Sequence, residues 1–336
     1  MKLVATLSAA LLSVSPSWAR DVTPPPSPAD WSIPDRELMV PVEGGRVWVR
    51  IDGDLSTDLP PAVLVHGGPG GTHTSFGNMM SLADERAVIL YDQLDSGKSD
   101  HPGDPANWRV DRFVEELEAI RKALGIEKWH VIGHSWGSAL ALEYAAKYSQ
   151  HVASSVLAGT FISTPHWITG TNLLIRELPD DVAAALIACE GPTPPAAEVC
   201  EPASKAFYSA YNGRPDRPAV TPEEKAYRER FNGKGFNPEL YNAMWGPSEF
   251  SARGSLVSFN ATPLLSRIDG QRTLFMIGQY DEARIDDVQE FVELAPGSEL
   301  AVIPGGSHSS FHERPAESEA ILRAWMRRHD PQDAAP

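Results

Sequence analysis

The sequence predicts an α/β fold in which a mostly parallel sheet is flanked by helices and interrupted by an inserted helical cap. Three observations carry this. Short apolar runs recur along the chain with helical stretches between them. Most of these runs are continuously apolar, which marks strands buried on both faces and hence a parallel sheet lying under helices. The rhythm then breaks between residues 160 and 267, where no clear strand appears and helical patterns are punctuated by Pro and Gly. A length of 336 residues suits one large domain with a sizeable insertion.

Taken in chain order, the first segment is a leader. Met1-Lys2 is a short basic start, residues 3–14 are apolar, and Ser17-Trp18-Ala19 places small residues at the two positions of a cleavage site. Residues 1–19 therefore read as a secretory signal peptide. A membrane anchor needs about 20 apolar residues, and Pro16 and Ser17 cut this run short. The mature chain is expected to begin near Arg20, in a periplasm or the medium. Residues 20–36 form a leader rich in Pro and Ser, expected to be extended.

The core follows in two parts, residues 37–160 and 267–330. Runs 37–42 and 46–52 flank Glu43-Gly44-Gly45 as a hairpin. Strands are predicted at 62–65, 87–90, 129–132, 155–158, 273–277 and 299–303. Between the two parts lies the cap, 161–266, with helical patterns at 173–178, 180–189, 203–211 and 222–231. Such caps stand over the carboxyl ends of the strands, where ligands bind in this architecture.

Charge and cysteine usage narrow the function classes. The net charge of −16, or −17 once Lys2 leaves with the signal, disfavours nucleic acid and anionic lipid as partners. Cys189 and Cys200 are the two cysteines. In an oxidising compartment they are expected to pair and close a short loop. Without clustered histidines they do not suggest a zinc site.

The chemistry is carried by Gly133-His134-Ser135-Trp136-Gly137, a G-x-S-x-G string between the strand at 129–132 and a helix expected over 138–147. At such an elbow a strained backbone pushes the serine hydroxyl outward. A serine needs a base, and the base needs an orienting acid. In the α/β-hydrolase order the acid and then the His follow the Ser, each beyond a strand end. Asp281 lies just after the strand at 273–277, ahead of its rivals Glu282, Asp286 and Asp287. His308 follows 299–303 and two glycines, ahead of His312. The other histidines, including His73, His101, His151 and His166, read as surface or cap residues. The backbone N–H of Trp136, with that of Gly68 or its neighbour Gly67 in the loop His66-Gly67-Gly68-Pro69-Gly70-Gly71, supplies candidate oxyanion donors. That loop lacks the patterns of phosphate and dinucleotide cradles, and no cofactor or metal is called for. Because His308 must be neutral to act as a base, activity is expected to fall in acid with an apparent pKa of about 6–7.

Beyond these residues the chain resembles the proline iminopeptidase family of serine peptidases, including its tricorn-interacting aminopeptidase branch. The resemblance rests on HGGPGG (66–71), YDQLDSGKSD (91–100), GHSWGSALALEYAAKY (133–148), MWGPSEF (244–250), GQYDEAR (278–284) and GGSHSSFHERP (305–315). It implies Ser135, Asp281 and His308 as a triad that removes an N-terminal residue, often proline, from a short peptide or aminoacyl amide with a free N-terminus. It also implies acidic cap residues that bind the amine. Glu249 matches one of them, and Asp216 is the nearest carboxylate in the region that supplies a second. An amino-acid amide or ester hydrolase with the same triad is the alternative.

Overall fold

A computed structural model describes residues 34–230 and 235–331. The signal peptide and most of the Pro-rich leader lie outside the described residues. Eight strands form one sheet: β1 (Arg36–Val42), β2 (Gly45–Asp52), β3 (Ala62–Val65), β4 (Val88–Asp92), β5 (Trp129–His134), β6 (Val152–Ala158), β7 (Thr273–Gly278) and β8 (Glu299–Ile303). Their spatial order is β1-β2-β4-β3-β5-β6-β7-β8. β1 and β2 form the expected hairpin, turning at Gly44 with φ +86°, and β2 pairs antiparallel with β4. From β4 onward every pairing is parallel, and Val63 sits opposite both Ile89 and Val131.

Alternation along the strands divides the apolar side chains between two cores, since successive residues point to opposite faces. Val63, Val65, Ile89, Tyr91, Val131, Phe275 and Ile277 enter the larger core. Ala62, Leu64, Val88, Leu90, Ile132, Leu274 and Met276 enter the other. The first is covered by α1 (Val110–Ala123) and α2 (Trp136–Lys147), through residues such as Phe113, Leu117, Leu140 and Tyr144. β8 is one of the two edge strands, and its Val302 is 37% exposed, which departs from burial on both faces.

Between β6 and β7 the described residues form no strand of the sheet, and the α-helices there are α3 (Thr164–Glu177), α4 (Asp180–Cys189), α5 (Ala197–Tyr211), α6 (Pro222–Glu229) and α7 (Pro238–Met244). This segment has an apolar cluster of its own, in which Phe207 and Leu186 pack with Leu174, Ile175 and Phe250. A disulfide between Cys189 and Cys200 ties α4 to α5. After β7 come α8 (Ile285–Leu294), α9 (Ser310–Glu313) and α10 (Pro315–Arg328), and α10 covers the second core with Leu322 and Trp325. No helix of the described residues is long and apolar enough to cross a membrane.

Candidate active site

Ser135 sits between β5 and α2 with φ +56° and ψ −126°, a backbone state a side-chain-bearing residue holds only under local constraint. Its neighbours show why the turn needs glycine. A Cβ on Gly133 would lie 2.1 Å from the Gly137 carbonyl oxygen, and one on Gly137 would lie 2.0 Å from that of Val65. The elbow is braced on both sides. Ser135 N–H donates to the Ala158 carbonyl at 2.9 Å, and the Ser138 hydroxyl donates to the Ser135 carbonyl at 2.6 Å.

The turn after β7 presents Asp281, whose Oδ1 accepts from Ala283 N–H at 3.0 Å and from His308 Nδ1 at 2.7 Å. That second bond fixes the imidazole with its proton on Nδ1. The loop after β8 is held just as firmly. Glu313 accepts from Ser307 N–H at 2.7 Å and from the Ser307 hydroxyl at 2.9 Å. His308 N–H donates to the Tyr211 carbonyl at 3.0 Å, and His134 Nε2 donates to the His308 carbonyl at 2.7 Å. Burial, joined by the nearby His308, lowers the His134 pKa to about 3, so His134 is a neutral brace beside Ser135. Ser135 Oγ makes no hydrogen bond to His308, as is common in unliganded sites. Instead His308 Nε2 faces Glu282 Oε1 at 3.7 Å.

The rivals considered for acid and base take other places. Asp286 pairs with Arg284 at 2.7 Å on the surface. His312 contacts Asn78, and burial together with Arg228 and Arg217 lowers its pKa to about 4. His73 is neither a surface nor a cap residue: it is fully buried in the core, where its Nδ1 bonds Asp92 at 2.8 Å. Its sequence neighbours gave no sign of this, because the partner arrives from β4.

The glycine-rich loop lies against the elbow. A Cβ on Gly67 would come within 2.9 Å of Ser135 Cβ. Gly68, with φ +114°, turns the chain, and a Cβ there would strike the Gly70 and Gly71 nitrogens. The N–H groups of Gly68 and Trp136 have no hydrogen-bond acceptor among the described residues, which is unusual for backbone donors in a partly buried loop and an elbow. Gln93 joins the two segments. It accepts from Trp136 Nε1 at 3.0 Å, donates to the His66 carbonyl at 2.9 Å, and its own N–H donates to His66 Nε2 at 3.0 Å. His66 Nδ1 in turn donates to the Gly67 carbonyl at 2.9 Å. Sequence reasoning named neither Gln93 nor His66 as a functional residue, although both lie in the motifs 91–100 and 66–71.

Acidic side chains crowd the imidazole. Glu249 accepts from the Tyr241 hydroxyl at 2.6 Å, while its backbone is fixed by Trp167 Nε1 and the Tyr208 hydroxyl. Glu282 is 1% exposed; its Oε1 accepts from Asn212 Nδ2 at 2.6 Å, and its buried Oε2 has no hydrogen-bond partner among the described residues. Burial raises the pKa of both glutamates, and for Glu282 the proximity of Glu249 adds to the rise. For His308 burial works the other way, but Asp281, Glu282 and Glu249 outweigh it and raise the pKa to about 9. The expected acid limb at 6–7 is thereby moved upward. The structure does not bring Asp216 to this cluster: it is on the surface, bound to Arg314 at 2.8 Å and Arg214 at 3.3 Å. The acid found beside Glu249 is Glu282, which the sequence showed only as a rival to Asp281. Among the described residues no cluster of three or more His, Cys, Asp or Glu is placed to hold a metal ion.

Known proteins resemble this arrangement along most of the chain. A family profile described as alpha/beta hydrolase fold matches residues 60–315. A proline iminopeptidase from Heyndrickxia coagulans is 35% identical over 286 residues, covering 85% of this chain and 96% of that protein. Among solved structures, a proline iminopeptidase from Mycobacterium smegmatis superposes with a TM-score of 0.76 at 30% identity, covering 88% of this chain and 99% of the other. VinJ superposes with a TM-score of 0.78, at the same identity and coverage. With this fold and these relatives, the chain belongs to the proline iminopeptidase family of α/β hydrolases and is a serine hydrolase of the aminopeptidase class.

Proposed function

We propose that this chain removes the N-terminal residue, proline by preference, from short peptides through an acyl-enzyme. The single observation that carries the reading is the pair of acids beside His308. Glu249 and Glu282 are held at elevated pKa, and neither has a Lys or Arg at ion-pair distance among the described residues. A substrate ammonium or iminium group is the missing cation. It would stabilise both carboxylates, give the orphan Glu282 Oε2 a donor, and return the His308 pKa toward its ordinary range. An N-blocked peptide supplies no such charge and leaves the acids unpaired.

In this reading Ser135 Oγ attacks the first carbonyl carbon while His308 Nε2 takes the hydroxyl proton. Asp281 holds the ring and stabilises the imidazolium, and the oxyanion is received by the N–H groups of Gly68 and Trp136. His308 returns its proton to the departing amine, and water then cleaves the ester by the same steps in reverse. The preference for proline is supported by the aromatic wall next to the base. Trp167 packs edge-on to His308 at 5.5 Å, with Phe161 and Trp245 behind it. A rigid pyrrolidine ring gains apolar burial there at little entropic cost.

Export belongs to the same proposal. It is supported by the leader pattern of residues 1–19 and by the Cys189–Cys200 disulfide, a bond that persists in oxidising compartments. A secreted or periplasmic fraction whose N-terminal sequence begins near Arg20 is the expected result. For the activity, proline p-nitroanilide should be hydrolysed and N-acetyl-proline p-nitroanilide should not. Comparable rates on the two would remove the amine-binding reading.

A further inference from the structure

The face of α5 that carries Glu201, Ser204, Lys205 and Tyr208 lines an open groove of about 570 Å³ together with Asn212, which caps the helix, and Arg217, a volume in the range of ligand sites. Its inner end is built from the residues that support the amine pocket. Tyr208 receives the Glu249 N–H at 3.2 Å and Asn212 holds Glu282 at 2.6 Å. The carbonyls of Tyr211 and Asn212 accept the N–H groups of His308 and Ser309, each at 3.0 Å. The Asn212 end of the groove therefore lies against the loop that carries the base.

Lys205 and Arg217 also line the groove, Arg217 beside Gly213 and Lys205 on α5, and among the described residues neither makes an ion pair or a hydrogen bond. Glu201, one helical turn from Lys205, also lines the groove without pairing to it. In a chain of net charge −16 most of the surface repels an anion, so two unpaired cations beside an acidic pocket make a local dipole. A short peptide with both ends free carries the matching one, an ammonium at its start and a carboxylate at its end.

We propose that this groove seats the leaving portion of a short peptide and that Lys205 and Arg217 pair with its C-terminal carboxylate. The inference rests on the amine-binding reading above and adds to it a preference for peptides with a free C-terminus. Because both cations are solvent-exposed, the preference is modest and salt-sensitive, about five- to tenfold in kcat/KM at low ionic strength. The test compares Pro-Ala-Ala, Pro-Ala-Ala-amide and proline p-nitroanilide on the full chain and on the K205E/R217E variant, with K205Q and R217Q as milder replacements should the double variant unfold. The wild type is expected to favour the acid, added salt to shrink the preference, and the reversed charges to invert it, while anilide hydrolysis stays within about twofold. An acid-to-amide ratio that does not differ between wild type and variants, with the anilide still cleaved, overturns the groove assignment. So does a loss on the anilide equal to that on the tripeptide acid. Failure of the wild type to cleave the anilide at all defeats the amine-binding reading itself, a result separate from either.

Discussion

The loops at the sheet ends and the cap above them are built on different principles. Ser135, Asp281 and His308 each stand a few residues beyond a parallel strand, and the N–H of each donates to a main-chain carbonyl: Ser135 to Ala158, Asp281 to Gly278, and His308 to Tyr211. The cap reaches the same spot from a separate apolar cluster, through long side chains such as Glu249, Tyr208 and Asn212. Geometry in the first region rests on backbone and glycine packing braced by buried side chains such as Glu313 and His134, whereas in the second it rests on side-chain hydrogen bonds alone at the acids themselves. On the proposed function the core fixes the reaction, and the choice of substrate falls to a layer whose side chains can change without disturbing the sheet.

The largest effect that would break this division is at the elbow. Ser135→Ala should lower kcat by about 10⁴-fold or more, with the circular dichroism and melting temperature kept. Among the described residues its hydroxyl has no hydrogen-bond partner, so its loss should not weaken the fold. Substantial turnover in the variant would mean that the nucleophile lies elsewhere and that the rigid region is not the chemical one.

Glu282→Gln and Glu249→Gln test the cap side of the comparison. Each should reduce kcat/KM on free-amine substrates by about 10²-fold, the scale of one lost charge-assisted interaction of 2–3 kcal/mol. Slow hydrolysis of an ester lacking the amine should change far less. Equal losses on both would place these acids in the chemistry, as parts of the core machinery.

Glu282 also joins the two regions, since it sits in sequence beside Asp281 and in space between the base and the cap. The His308 pKa of about 9 means that in the free enzyme the imidazole is protonated below that pH, so kcat/KM should rise with pH through an acid limb above the ordinary histidine range. Removing a negative charge destabilises the imidazolium. Glu282→Gln should therefore shift the limb to lower pH, by about one unit. A limb at the same pH in wild type and variant would show that Glu282 does not act on the base.

This junction is also where the sequence was least legible. The strands could be read because burial on both faces leaves uninterrupted runs such as Ala62–Val65, and the elbow because glycine spacing is a local signature. Asp281 and His308 followed from their places after strands. Glu282 did not, because neighbouring acids on a loop look like rivals for one role, and the two separate only when the turn sends their side chains in different directions. Asp216 stands away from the acids for the complementary reason. Its partners, Arg214 and Arg314, turn it to the surface, and Arg314 is brought to it by the loop after β8. The helix α7 was missed because it is short and lies outside the stronger apolar patterns, yet Tyr241, which holds Glu249, belongs to it.

The smallest expected effect concerns the link between α4 and α5. The cysteines are 11 positions apart, and closing a loop of that size contributes about 2–4 kcal/mol when the whole chain unfolds as one unit. The cap has its own apolar cluster, so part of this stabilisation is local to it. Cys189→Ser with Cys200→Ser should lower the melting temperature by a few degrees at most and raise KM several-fold, because α5 carries Tyr208 and Asn212 is its cap, while kcat on a saturating small anilide holds. Hydrogen exchange should quicken in α4 and α5 before it does in β5 or β7. If kcat fell in step with KM, or exchange quickened evenly across the sheet, the cap and the core would be one mechanical unit, and the separation of substrate choice from chemistry would have no structural basis.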